Sequence, residues 1–160
     1  MKVIFAPWRL EFILGKRERG CIFCNRVRRR KDRTDFILAR GKTCFVILNK
    51  YPYNNGHLMV VPNRHVASLS ALTVEERREA MDLLAQAEKV LKKAIHAQGF
   101  NMGMNLGKVA GAGIEDHAHF HLVPRWLADT NFWPIIAETK TLPQHLRKTY
   151  DLIKRYWRFP

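Results

Sequence analysis

Acidic residues are scarce in this chain. Its 14 aspartates and glutamates face 28 lysines and arginines, and the formal charge of +14 over 160 residues excludes a balanced or acidic surface. A field of that sign draws polyanions, whether polyphosphates or nucleic acid. Cysteine is scarce as well, and three residues are too few and too odd in number for a disulfide framework. Long hydrophobic runs are missing. Met1 to Leu14 is apolar in places, but Pro7, Arg9 and Glu11 break it before a signal-peptide core or a membrane span could form. A cytoplasmic protein with no membrane partner is the expectation. No internal repeat or low-complexity segment stands out, and 47% hydrophobic with 26% charged residues suits one globular domain over residues 1–160.

Histidine is concentrated. Three of the seven lie within five residues, as His117-Ala118-His119-Phe120-His121, followed by Leu122-Val123 and Pro124-Arg125-Trp126. Strict alternation is the period of a strand, so the three imidazoles leave one sheet face while Ala118, Phe120 and Leu122 leave the other. Bases about 7 Å apart on that face let one ligand engage more than one ring. Basic residues are concentrated too: residues 1–40 hold twelve of the 28, with Arg26, Arg28, Arg29, Arg30, Lys31 and Arg33 nearly continuous. Two readings stand, a solvated basic loop or a nucleic-acid patch, and the run lacks the interleaved aromatics of a stacking surface.

Phe36-Ile37-Leu38-Ala39 and Cys44-Phe45-Val46-Ile47-Leu48 read as strands around a tight turn at Gly41-Lys42, with Cys44 a core residue. Tyr51 to Gly56 is a loop, and His57 to Val61 is a strand stopped by Pro62. Thr73 and Glu76 form a capping box for a helix carrying Ala80, Leu84, Ala87, Leu91 and Ile95, expected to run to about Gln98 and stop at Gly99. Phe100 to Leu106 reads as a strand, Gly107 to Gly113 as a glycine-rich loop and Asp116 to Val123 as the histidine strand. From Thr141 on, Leu146, Tyr150, Ile153 and Trp157 mark a final helix. This order predicts an α+β fold with a largely antiparallel sheet, one long helix and a C-terminal helix.

Cys21-Ile22-Phe23-Cys24 offers two thiolates, and zinc needs two more ligands. No histidine follows Cys24 until His57, so a zinc finger is excluded. The loop from Asn105 to Gly113 lets backbone N–H groups approach an anion, yet Gly107-Lys108 lacks the hydroxyl residue of a P-loop.

His-x-His-x-His followed by two apolar residues resembles the signature of the histidine triad family of nucleotide hydrolases and transferases. Further similarity comes from Phe5-Ala6-Pro7-Trp8-Arg9, Cys21-Ile22-Phe23-Cys24, Asn49-Lys50-Tyr51-Pro52-Tyr53-Asn54-Asn55-Gly56-His57 and Asp129-Thr130-Asn131-Phe132. These look most like the bacterial diadenosine tetraphosphate phosphorylase branch and, distantly, galactose-1-phosphate uridylyltransferase. The resemblance implies the histidine triad fold, a homodimer, and structural zinc on Cys21, Cys24, His65 and His117, with His57 the substitute if His65 faces away. It assigns His119 as nucleophile toward the α-phosphorus and His121 as a phosphate contact. It also assigns Ile22, Phe23 and Leu48 to the base, Asn49 to the ribose, and Asn105, Gly107 and Gly113 to the phosphates. For Phe23 and Leu48, plain core packing stands beside base contact. Gly113 and Ile114 replace the Gln and small hydroxyl residue of many relatives. The implied activity is cleavage of a dinucleoside polyphosphate, by phosphate or by water. A nucleoside phosphoramidase, or a non-catalytic zinc protein that binds nucleic acid, is the alternative.

Overall fold

The computed structural model describes residues 18–127, 129 and 142–157. The Met1 to Leu14 stretch with Phe5 to Arg9, and Thr130-Asn131-Phe132, lie outside them. Elements run in the order α1 (Ile22–Arg29), a single turn α2 (Asp32–Asp35), β1 (Ile37–Arg40), β2 (Cys44–Leu48), β3 (Leu58–Pro62), α3 (Val74–Ile95), β4 (Gly99–Gly103), β5 (Phe120–Arg125) and α4 (Leu146–Tyr156). The five strands form one antiparallel sheet in the order β1-β2-β3-β5-β4. No helix among the described residues is long and apolar enough to cross a membrane.

Alternation along the strands builds two cores. Cys44, Val46, Leu48, Leu58, Val60, Phe120 and Leu122 join Leu84, Leu91, Tyr150 and Ile153 of α3 and α4 on one face. Phe45, Ile47, Met59 and Val61 join Ile37 and Phe23 on the other, so α1 covers the face that carries the histidines. Burying Phe23 to 1% exposure contributes about 2–3 kcal/mol and fixes where α1 sits.

Of the basic run, Arg26, Arg28 and Arg29 form the last turn of α1, Arg30 caps it in the left-handed conformation, and Lys31 and Arg33 belong to the turn α2. The guanidinium groups of the last turn of α1 suit the negative end of the helix. Buried Asp35 then holds that turn, with Arg26 Nε at 3.1 Å and an Arg29 amine at 2.7 Å. The α3 capping box is present in both directions. The helix ends sooner than expected, because His96 takes the left-handed conformation (φ 53°) and Gln98 N–H already bonds to Arg125 O. Gly99 therefore opens β4 and does not end α3.

The turn at residues 41–43 is clamped by α3. Glu79 accepts from Lys42 N–H at 2.7 Å, Thr43 N–H at 2.5 Å and Cys44 N–H at 2.8 Å. A Cβ on Gly41 would stand 2.5 Å from Glu79 Oε1, so a side chain there would push the carboxylate out of the clamp.

Candidate active site and metal cluster

Pairing of β5 with β3 brings His121 opposite Met59, but the ladder begins only at Phe120. His117 and His119 occupy an irregular approach to β5, anchored by Ala118 N–H on Val66 O at 2.6 Å. All three rings still share the α1 side. Phe23 lies 5.3 Å from His117 and 5.2 Å from His119, and His119 lies 4.8 Å from His121, ring centre to ring centre.

Their hydrogen bonds fix their protons. His119 Nδ1 is 2.8 Å from His117 O, so Nδ1–H donates there and Nε2 keeps its lone pair. His57 joins the group, a residue the sequence reading held only as a spare zinc ligand. Tyr53 N–H donates to His57 Nδ1 at 3.0 Å, which leaves the proton on Nε2, 2.9 Å from His121 Nδ1. That donation makes His121 a neutral ring with its proton on Nε2, and this nitrogen is buried with no partner among the described residues. Burial pushes His57 down to about 3 and His121 to about 4, helped by repulsion from neighbouring imidazoles. Both are therefore neutral near pH 7, and the one unspent donor of the set is His121 Nε2–H.

On the other side of the triad, His117 donates Nε2–H to Pro62 O at 2.9 Å and turns the Nδ1 lone pair outward. Cys21 Sγ at 3.2 Å, Cys24 Sγ at 3.7 Å and His65 Nδ1 at 3.2 Å surround that one nitrogen, with Cys24 Sγ to His65 Nδ1 at 3.4 Å. All four donor atoms lie within 4.8 Å of one another. A tetrahedral zinc ion has S···N edges near 3.5 Å and N···N edges near 3.3 Å, from bonds of about 2.3 and 2.0–2.1 Å. The four S···N and N···N separations of 3.2–3.7 Å lie near these edges, the whole set spans up to 4.8 Å, and two thiols with two imidazoles are a donor set suited to a metal ion. His57 is committed to His121, so it is not a fifth candidate.

The nucleotide residues divide. Ile22, Gly113 and Ile114 line one cleft of about 520 Å³ with Cys21, His65 and Asp116. Phe23 lies beneath the histidines. Leu48 belongs to the helix-side core, on the face away from the triad, whereas Ile47 lies beside Phe23. Ile47 is thus the residue of β2 that the sequence reading passed over, by one step of strand parity. Asn49 accepts from Tyr51 N–H at 2.9 Å and reaches His57 Nδ1 at 3.3 Å, which ties it to the loop under the site. Asn105 makes no hydrogen bond among the described residues. Gly107 (φ 79°) and Gly111 (φ 83°) take conformations that side chains disfavour and so shape the loop leading to the triad. Asn54, buried, donates to Pro124 O and Asp129, holding the Tyr51–Gly56 loop against the end of β5.

Sheet order, the three-ring face and the fixed His119 proton together define a histidine triad protein. The chain belongs to the HIT domain family, whose model matches residues 30–126. It is 46% identical over 126 residues to the AP-4-A phosphorylase of Mycobacterium tuberculosis, covering 79% of this chain and 65% of that one. It thus spans about two thirds of that relative's length. It is 32% identical over 106 residues to an adenosine 5'-monophosphoramidase of Saccharomyces cerevisiae, covering 66% of this chain and 63% of that one. Its fold matches a Zn-bound histidine triad family protein of Mycobacterium smegmatis with a TM-score of 0.69 at 23% identity, over 86% of this chain and 92% of that one.

Proposed function

We propose that the protein splits dinucleoside polyphosphates, diadenosine tetraphosphate foremost, through a nucleotidyl-His119 intermediate. The observation that carries this reading is the His119 ring, with Nδ1–H held by His117 O at 2.8 Å and Nε2 left as a nucleophile. Nε2 forms a bond to the α-phosphorus as the bond to the bridging oxygen breaks, and that oxygen leaves on ATP with the electron pair. His121 Nε2–H stabilises the phosphate charge from one side. An acceptor then attacks the same phosphorus and releases His119. Phosphate as acceptor yields ADP; water yields AMP. The similarity to a phosphorylase supports phosphate.

Cys21, Cys24, His65 and His117 would hold zinc with all four positions filled by protein. Bound there, it supplies a structural charge that ties the start of α1 to the residues leading into β5. Burial and the neighbouring Cys21 sulfur push the Cys24 thiol up, a preference that a divalent cation reverses by binding the thiolate. The three free cysteines fit a reducing cytoplasm. The reading includes a homodimer formed along β4. The outer edge of β1 is already used, by Tyr150 Oη on Ile37 O and Lys154 Nζ on Leu38 O, while β4 has no outer partner strand among the described residues.

The test is product analysis. Diadenosine tetraphosphate with inorganic phosphate should give ADP and ATP, and in phosphate-free buffer far less turnover. AMP with ATP in both buffers would make the protein a hydrolase. Cleavage of adenosine phosphoramidate alone would favour the second reading, supported by the yeast relative. Salt-sensitive nucleic-acid binding with no turnover would contradict all of these.

A further inference from the structure

Tyr53 does two things at the triad, and the two are separable. Its backbone N–H sets the His57 tautomer, as described above. Its side chain lies tilted against the pair of rings that this tautomer couples: the phenol ring is 4.6 Å from His57 at 38° and 5.7 Å from His121 at 33°. The exposures run in the order of a cover. His57 is 0% exposed and His121 8%, whereas Tyr53 above them is 53% exposed.

We propose that Tyr53 is a positioning residue whose ring seals the outer face of the His57–His121 pair, so that His121 keeps its single proton on Nε2, directed at the phosphate. The proposal rests on the reaction proposed above, and it concerns a side chain that touches the imidazoles and acts through them. Without the ring, water reaches the two imidazoles. A water molecule can then donate to His121 Nδ1 or accept from His57 Nε2–H, and the one-way chain from Tyr53 N–H through His57 to His121 is broken. Exposure also lowers the burial that keeps both rings neutral.

The surroundings leave this role to Tyr53. Asn49 from the end of β2 meets His57 with an uncharged amide. Met59 on β3 and Gly103 on β4 pair with His121 through the backbone and carry no charge. Among the described residues His119, on the approach to β5, is the one further titratable group that bears on both rings, and it is itself held toward neutrality by burial. Among the described residues no carboxylate stabilises a charged form of either ring, and burial is what holds the pair neutral.

The phenol oxygen takes no part in the seal, which gives the test its control. In Tyr53→Ala, kcat for diadenosine tetraphosphate should fall about tenfold with KM within about twofold, and the acid limb of the kcat profile should move to higher pH. Tyr53→Phe should restore both the rate and the profile. Nitrogen-15 NMR of the histidine rings gives a reading independent of turnover. The wild type and Tyr53→Phe should show His57 and His121 neutral, with protons on Nε2, down to pH 5. Tyr53→Ala should bring their titration up by about one pH unit or more. If the wild-type protein cleaves no dinucleotide, the proposed reaction fails, while the ring titrations still decide the role of Tyr53. Unchanged titrations and unchanged kcat in Tyr53→Ala, or a Tyr53→Phe protein that behaves like Tyr53→Ala, would overturn the proposal.

Discussion

Lowering the pH from 7 to 5 should destabilise this fold steeply, and the size of the effect follows from two buried rings. His57 and His121 are held at about 3 and about 4, against an ordinary value of 6.5. In the unfolded chain each takes up a proton as pH drops through about 6.5, while in the folded chain neither does until well below pH 5. The unfolded state therefore binds more protons across this window. Stability is fully present above about pH 6.5 and falls as the pH goes down, by about 1.4 kcal/mol per pH unit for each group. At pH 5 the loss is roughly 2 kcal/mol per ring and roughly 4 for both, a large share of the 5–15 kcal/mol typical of a domain. Urea unfolding at pH 7, 6 and 5, with zinc in constant excess, measures it. Zinc release by acid adds a slope of its own, so the decisive quantity is the difference from His57→Gln, which lacks one of the two titrations. The wild-type slope should exceed that of His57→Gln by about 1.4 kcal/mol per pH unit below pH 6. Equal slopes would refute the claim that His57 is buried neutral.

Protein purified without chelator should carry about one zinc per chain by metal analysis, and a Cys21→Ser, Cys24→Ser double change should lose it. At zinc a hundredfold above its Kd, binding stabilises by about 2.7 kcal/mol, so the melting temperature should drop by roughly 5–10 °C. A chelated wild type with an unchanged melting temperature would remove the structural role. Glu79→Ala strips the clamp from residues 42–44 and leaves three N–H groups and the Thr43 hydroxyl without their acceptor. Burial raises the Glu79 carboxyl, but these bonds pull it below its ordinary range, and their loss should cost about 1–3 kcal/mol by urea unfolding. A loss below 0.5 kcal/mol, on the order of an exposed surface change, would contradict the clamp.

What the sequence disclosed depended on how local the cause was. The start of α3 was legible because Thr73 and Glu76 cap the same turn that they announce. The shared face of the three histidines was legible from parity alone, even though the ladder covers only His121. Cys21, Cys24, His65 and His117 lie together, the four residues that the family resemblance implied for zinc, although spacing alone could give no more than the two cysteines. Helix α1 was hidden because its basic turn depends on Asp35 and on the burial of Phe23 against a sheet formed later in the chain. The end of α3 moved because bonding of Gln98 to Arg125 competes with another helical turn, and only tertiary structure sets that competition. His57 was hidden for a similar reason: 64 residues separate it from His121, and only β3–β5 pairing joins them. Leu48 and Ile47 differ by a single step along β2, which sends one side chain to each core.

The covalent role of His119 is the centre of the proposed reaction. Mixing the protein with radiolabelled diadenosine tetraphosphate, quenching during turnover and mapping the acid-labile adduct by mass spectrometry tests it directly. The expected result is an adenylyl group on His119 Nε2, and a His119→Ala protein that keeps its zinc and its nucleotide binding while losing several orders of magnitude in turnover. An adduct on His121, or normal turnover by His119→Ala, would contradict it.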